Sequence, residues 1–359
     1  MKNNSIRVNT VLNLCRQISS GLFPIITIPY ISRILGTENY GRVNFSISII
    51  NYFVLFANLG MIIYATRECA ILRNFEKKFN IFANEVFTTH LLMTLLSLVV
   101  LYTMLFFVDF FSNYIVVLSV LSIMIIFNAF NVEWIYNAHE DYLYPTICTF
   151  IIQILSFILL FIFVRSSTDF LLYCFFYVLS YSGMYVVSFF MVGKYSHIRL
   201  TTHPNIIKHI VPMFILFSND LMVSIYVNSD ITILGFLTND RSVGIYAISV
   251  KAYTICKRIF GAVITVMFPR LSFFYQTNKK DKYRSLVTKA FNAILLFVIP
   301  AAFGMFFISD DMMMLLGGKE YILGGNSLRV LCLALVFSAL ANFFTTAVML
   351  PSRNEKKCW

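Results

Sequence analysis

Charge is scarce in this sequence: Asp, Glu, Lys and Arg make up 13% of its 359 residues, about half the share of a soluble globular domain. That deficit excludes a water-soluble enzyme. Metal-ligand spacing is missing as well, because the five histidines (His90, His139, His197, His203 and His209) stand too far apart or too irregularly to build a site. The seven cysteines (Cys15, Cys69, Cys148, Cys174, Cys256, Cys332 and Cys358) are an odd number scattered mostly through apolar stretches. They read as packing thiols, without a disulfide or metal framework. What the chain has in abundance is hydrocarbon. Its 59% hydrophobic residues suffice for on the order of ten bilayer crossings at about 20 residues each.

Apolar runs separated by charged or turn-rich stretches place candidate spans near 9–31, 43–64, 86–108, 113–132, 145–164, 169–192, 209–236, 243–268, 287–308 and 328–350. Each must be a helix, since lipid leaves backbone groups unsatisfied and no alternating ten-residue strand pattern is present. The predicted fold class is therefore all-α, a polytopic membrane protein of about ten transmembrane helices in two bundles. Lys and Arg set its orientation. The N-terminal tail, the second, sixth and eighth connections and the final tail hold 18 of them, against 6 on the other side. The N-terminus is thus expected in the cytoplasm. Glu133, Glu140 and Asp141 make the fourth connection acidic, but acidic residues weigh little in this rule. They read as a solvated interface with Trp134 as its interfacial anchor, and His197 to His209 as a solvated cytoplasmic patch. Outer connections are too short for a catalytic domain. Arg16 within the first apolar run, and the lack of a small-residue exit site, predict that this run is retained and not cleaved as a leader.

Polar residues recur inside these spans at helical spacing. Asn9, Asn13, Arg16 and Ser20 share one face of the first, flanked by Gln17. Asn44, Ser48, Asn51 and Asn58 line the second, and Lys251, Thr254 and Arg258 the eighth, with Lys257 one position off. The seventh carries Asn219, Tyr226 and Asp230 on one face and Asp220, Ser224 and Asn228 on another. An amide or hydroxyl stripe is explained equally by hydrogen bonding between packed helices. Cations at bilayer depth cost at least about 2.5 to 3.5 kcal/mol on insertion scales, so Arg16 and Lys251 are expected to line a solvated cavity. Lys257 and Arg258 either line it or snorkel to the surface. Arg with its bidentate fork, Lys as a point charge and the amides of Asn13, Gln17 and Asn51 together suit an anion such as a phosphate. Asp220 and Asp230 either balance these cations or bind a coupling proton or sodium ion.

A short internal repeat supports two parallel lobes. Gly41 to Ser46 (GRVNFS) matches Gly244 to Ser249 (GIYAIS), and under the same offset Ser48 falls on Lys251 and Asn51 on Thr254. Residues 1–192 would form a six-helix lobe, 193–208 a cytoplasmic linker and 209–359 the second lobe. A site between parallel repeats is a common transporter plan. Pro24, Pro29 and Pro212 remove backbone donors and allow bends in the first and seventh spans.

Several stretches, in order and covering nearly the whole chain, carry a resemblance. They are IPYISRILGTENYG (Ile28 to Gly41), ATRECA (Ala65 to Ala70) and NVEWIYNAHEDY (Asn131 to Tyr142), then NSDITILGF (Asn228 to Phe236) with VGIYAISVKAY (Val243 to Tyr253), and LLGGKEYILGGNSLRVLCL (Leu315 to Leu333). The sequence resembles the polysaccharide-exporter branch of the multidrug, oligosaccharidyl-lipid and polysaccharide exporter superfamily, the branch of the bacterial O-antigen flippases. The resemblance implies a pair of helical bundles in the bacterial inner membrane and a cationic central cavity. It implies alternating access that moves an undecaprenyl-diphosphate-linked oligosaccharide to the periplasmic leaflet, driven by an ion gradient or the membrane potential. Expected partners are that lipid-linked glycan, the bilayer, a proton or sodium ion and other polysaccharide-assembly membrane proteins. No nucleic acid and no cofactor are expected. Such exporters usually have six spans per lobe, so a chain stopping just after a tenth is expected to be truncated by two helices.

Two other functions compete with a flippase. A drug or cation exporter of the same superfamily would favour acidic cavity residues over Arg16 and Lys251. A membrane O-antigen polymerase or acyltransferase would need a large outer loop or a clustered acid/base pair.

Overall fold

The computed structural model describes residues 6–201, 204–277 and 279–349, with side chains described throughout these except at 6–24 and 262–269. No strand occurs among the described residues. The chain begins with α1 (Ile6–Asn58), a 53-residue helical run kinked at Gly36, where φ is 69° and ψ 175°. Two spans joined by a loop at 32–42 were expected here. The backbone instead stays helical on both sides of Gly36, because one glycine at positive φ redirects the chain without a loop. A second break follows at Leu59 and Gly60, with φ of 44° and 72°, before α2 (Met61–Leu72). Gly60 is also a close approach: a Cβ there would stand 2.7 Å from Met213 O and Phe217 N.

After α3 (Glu76–Phe107) and a 3₁₀ turn come three short helices, α4 (Ile115–Leu121), α5 (Ile123–Asn128) and α6 (Glu133–Ala138). Long helices then follow as α7 (Leu143–Phe163), α8 (Phe170–Met191), α9 (Ile206–Leu237), α10 (Asp240–Gln276) and α11 (Lys280–Phe307). The described chain closes with α12 (Ser309–Gly317), α13 (Gly325–Phe343) and a π-helical turn, Phe344–Met349. Among the described residues, eight segments are long and apolar enough to cross a bilayer, namely Ile25–Leu72, Glu76–Phe107, Asp109–Ala138, Leu143–Phe163, Ser167–Lys194, Ile206–Leu237, Lys280–Phe307 and Lys319–Met349. The fold is thus the expected all-α polytopic one. The first two expected spans form one kinked helical run.

The chain forms two compact units. One combines the chain up to Thr27 with Ile34–Gly244, the other Ile28–Arg33 with Ile245 onward. The division falls inside α10, and the 193–208 connection joins α8 to α9 within the first unit. There α9 buries Met213 and Phe217 beside Met61 and Ala65 of α2, Phe79, Ala83 and Val86 of α3, and Trp134 and Ile135 of α6. A second cluster in this unit gathers Val43, Phe45 and Ile50 with Leu101, Leu118, Leu121, Ile125 and Val178. Trp134 is 0% exposed, its indole N–H donating to Asn131 O at 3.1 Å. It is a core residue, which corrects the reading of an interfacial anchor.

The repeat glycines oppose each other in this unit. A Cβ on Gly41 would lie 1.7 Å from the Asp240 carbonyl oxygen, and one on Gly244 2.0 Å from that of Thr37. No other residue type permits the start of α10 to lie this close against α1. Polar contacts secure the crossing: Arg42 Nε donates to Asp240 Oδ2 at 3.1 Å and Tyr114 Oη to Asp240 Oδ1 at 2.6 Å.

In the second unit α12 ends within the LLGGKEY stretch, whose Lys319–Tyr321 already belong to a 3₁₀ turn. The helix's last carbonyls, orphaned by helix termination, accept from residues 28–33. Ser32 Oγ donates to Leu316 O at 2.7 Å and Arg33 Nη2 to Leu315 O at 2.8 Å, while Tyr321 Oη donates to Ser32 O at 3.1 Å. Ala290, Ile294 and Val298, four apart on α11, pack on Ala339 and Phe343 of α13.

Candidate functional site

The polar stripe of α1 meets that of α9 inside the first unit. Thr232 Oγ1 lies 3.0 Å from Ser48 Oγ, and Asn51 Nδ2 donates to Asn228 Oδ1 at 3.5 Å. Asn228 Nδ2 is held in turn by Ser224, at 3.1 Å from its carbonyl and 3.2 Å from its hydroxyl. Further along, Asn128 Nδ2 donates to Asn58 Oδ1 at 3.0 Å, while Asn44 Nδ2 donates back to Tyr40 O at 2.7 Å. Every group in this seam is neutral and has a protein partner. It therefore fastens helices together, as amides and hydroxyls do in lipid where apolar contact gives little preference for one neighbour over another.

The cations are arranged differently. Lys251 and Arg258 lie seven residues apart on α10, hence on one face. Lys251 is half-buried and Arg258 exposed. Arg258 places a second positive charge close to Lys251, and Lys257 stands over the Tyr253 ring with its Nζ 5.7 Å from the centroid. Buried Ile248 and Ala252 occupy other positions around the same turns. A pair of like charges at this depth is stabilised by water or by an anion. Asn13, Arg16 and Gln17 fall on α1, but their side chains lie outside the described residues. Asp220 and Asp230 are half-buried on α9. Asp230 Oδ1 accepts from the Ile231 N–H at 2.7 Å. The two aspartates and Asn51 belong to the first unit, Lys251 and Arg258 to the second.

Two polar networks at the basic end of the first unit escaped sequence reasoning. In one, Tyr195 Oη donates to Asp141, and Lys194 Nζ stands 3.6 Å from the same carboxylate. Burial, followed by the Asp141 carboxylate on its hydroxyl, pushes the Tyr195 phenol above its ordinary range. Arg73 pairs with Glu140 at 3.2 Å, so the acidic connection is partly tied into ion pairs. In the other network His209 is fully buried, which corrects the reading of a solvated histidine patch for this member. It lies between Glu85 and Tyr64. His197 is exposed, and His203 lies outside the described residues. The missed signal was position: Glu85 and His209 each fall just inside a long apolar helix, where solvation is not the default.

A family model described as polysaccharide biosynthesis protein matches residues 6–275. A putative O-antigen transporter of Escherichia coli strain K12 is 23% identical over 304 residues, covering 81% of this chain and 73% of that one. Another putative O-antigen transporter, from Shigella dysenteriae, is 24% identical over 343 residues, covering 93% and 84%. Among solved structures, the lipid II flippase MurJ in an inward closed conformation matches with a TM-score of 0.75 at 16% identity, over 97% of this chain and 77% of that one. At that identity the likeness speaks for the fold.

Proposed function

The chain belongs to the polysaccharide biosynthesis protein family, and from that premise we propose that it is a flippase for undecaprenyl-diphosphate-linked oligosaccharide, an O-antigen or capsule repeat unit. It would carry this lipid from the cytoplasmic to the periplasmic leaflet of the bacterial inner membrane, with its basic end in the cytoplasm. The relatives' names support this substrate class, and a transporter rather than an enzyme accords with them. The observation that carries the reading is the pair of cations on one face of α10, Lys251 and Arg258. A diphosphate supplies two adjacent anionic groups, and it neutralises a pair of like charges that the bilayer alone penalises. Arg16, Asn13, Gln17 and Asn51 are likewise proposed as substrate-binding residues, and Asp220 and Asp230 as groups that couple transport to a proton or sodium ion.

The test is export in a strain whose own flippase has been deleted. Lys251→Ala and Arg258→Ala are expected to abolish surface glycan while the protein remains at wild-type level in the membrane. Charge-retaining Lys251→Arg is expected to restore part of it. Wild-type export by both alanine variants would refute the anion site, and export of a cationic drug without glycan export would favour the drug-exporter alternative.

A further inference from the structure

One titratable group in the first unit is built for a change of charge. The His209 ring is 0% exposed and its two nitrogens are both engaged: Nε2 lies 2.9 Å from Glu85 Oε2 and Nδ1 3.0 Å from Tyr64 Oη. The three residues come from three elements, α9, α3 and α2. Phe82 and Tyr64 set their rings edge-on to the imidazole, with centroids 5.3 and 5.9 Å away.

The hydrogen-bond inventory decides what this arrangement can hold. A neutral imidazole donates once and accepts once, whereas an imidazolium donates twice. Glu85 accepts from Nε2 in both forms. The Tyr64 hydroxyl donates to Nδ1 in the first form and accepts from it in the second, by rotation of its hydrogen alone. A proton can therefore enter without stranding a buried nitrogen, and the Glu85 carboxylate neutralises the charge it brings. Proton access exists as well, because Glu85 retains 18% exposure and its Oε2 lies 4.0 Å from Nζ of Lys208, itself 60% exposed. The other charged or titratable groups about the site are Arg67, Glu68 and Cys69 on α2, and Arg67 is itself paired with Glu68 at 3.1 Å.

His90 provides the internal contrast. It lies five residues beyond Glu85 on α3, is equally buried, and has no hydrogen-bond partner at either nitrogen among the described residues. A charge there has no compensating anion, so burial keeps it neutral.

We propose that Glu85, His209 and Tyr64 form a proton-binding site that latches the start of α9 onto α2 and α3, more tightly when His209 is charged. Protonation adds a second ionised partner to the Glu85 contact and makes the Tyr64 contact charge-assisted as well, so proton uptake strengthens a polar junction shared by all three helices. This site is independent of the transport reading, and its test does not pass through export.

The experiment is ring-nitrogen NMR of the purified chain, labelled with ¹⁵N-histidine and held in detergent micelles between pH 8 and 5. His209→Gln and His90→Gln assign the signals. The wild type is expected to show the His209 ring moving from neutral to doubly protonated within that range, and Glu85→Gln is expected to abolish the change there. His90 should stay neutral throughout. Thermal scans of the same samples supply a second readout: the gap in melting temperature between wild type and Glu85→Gln is expected to be larger at pH 5.5 than at pH 8. A His209 ring that stays neutral, or one that protonates identically in Glu85→Gln, would overturn the proposal.

Discussion

Replacing Gly41 by Ala tests the close crossing of α1 and the start of α10 at its tightest atom. The new Cβ would fall 1.7 Å from the Asp240 carbonyl oxygen. Ordinary contact begins near 3.4 Å, so the helices must part by about 1.5 to 2 Å, and the obstacle is backbone that no rotamer can move. Overpacking of this kind costs about 1 to 3 kcal/mol. The same displacement disrupts the hydrogen bonds of Asp240 with Arg42 and Tyr114. Their side chains are 28% and 12% exposed for Arg42 and Asp240, so a further 1 to 2 kcal/mol is a screened estimate of that loss. Against this stands a gain of roughly 0.5 to 1 kcal/mol from replacing glycine in a helix. The net expectation is a loss of about 1 to 4.5 kcal/mol, several degrees of melting temperature at the middle of that range. Gly304→Ala is the control, because a Cβ there meets nothing within 4 Å. It should show only the propensity gain. Both variants are compared by thermal unfolding in detergent with aggregation followed by size-exclusion chromatography. Gly244→Ala should behave like Gly41→Ala, and the double variant should cost little more than the worse single one, since both separate the same crossing. If Gly41→Ala melts within a degree of Gly304→Ala, the helices are not in backbone contact there and the reasoning fails.

The seam between α1 and α9 makes a smaller prediction. A double-mutant cycle on Ser48→Ala and Thr232→Ala should return a coupling near 0.6 kcal/mol, the average for hydrogen bonds between membrane helices. A coupling above about 2 kcal/mol would show that the pair does more than fasten. At the basic end, Tyr195→Phe removes the donor to Asp141 and should lower stability by about 1 to 2 kcal/mol. Burial and Asp141 raise the folded-state phenol above its unfolded value. The protonated form is therefore the favoured one, so the contribution is fully present below the unfolded value of about 10 and lost above it. Thermal scans should show a constant gap between wild type and Tyr195→Phe from pH 6 to 9 that closes at more alkaline pH. A gap that closes below pH 8 would contradict the assignment.

Much of this architecture is legible from residue types alone, and the reasons it is or is not are physical. Lipid forces every span to be helical, so apolar length by itself predicts the all-α class. Ser48 and Asn51, like Ser224 and Asn228, are recognisable as partners for other helices because amides spaced by three and four share a face. Gly41 and Gly244 stand out as a repeated pair, although nothing in the repeat says that they oppose each other. Trp134 and His209 were misjudged for one shared reason. Hydropathy reports that a segment belongs in the membrane, but it does not tell a lipid-facing side from a protein-facing one, because both are equally apolar. The sense of Trp134 as core and of His209 as a buried junction comes only from what α2, α3, α6 and α9 bring against them. Gly36 was hidden for a different reason. The charged stretch around it looks like a loop, yet its residues keep helical backbone and the change of direction is confined to one position.

These polar groups also sort by whether the protein itself completes them, and that distinction orders the candidates for function. Ser48, Asn51, Asn228 and Thr232 are neutral and complete one another, so removing one is expected to loosen a joint. Glu85, His209 and Tyr64 are complete in either of two protonation states, so what they can exchange with their surroundings is a proton. Lys251 and Arg258 differ from both, because the charge that Arg258 brings close to Lys251 is of the same sign. Two like charges on one helix face add to their own desolvation cost instead of relieving it, and amides can solvate them without cancelling their charge. Relief has to come from an anion or from water. The three sets accordingly call for three different measurements, namely stability for the seam, proton uptake for the buried histidine and glycan export for the cations. An alanine at Lys251 that altered stability alone would move that residue into the first set.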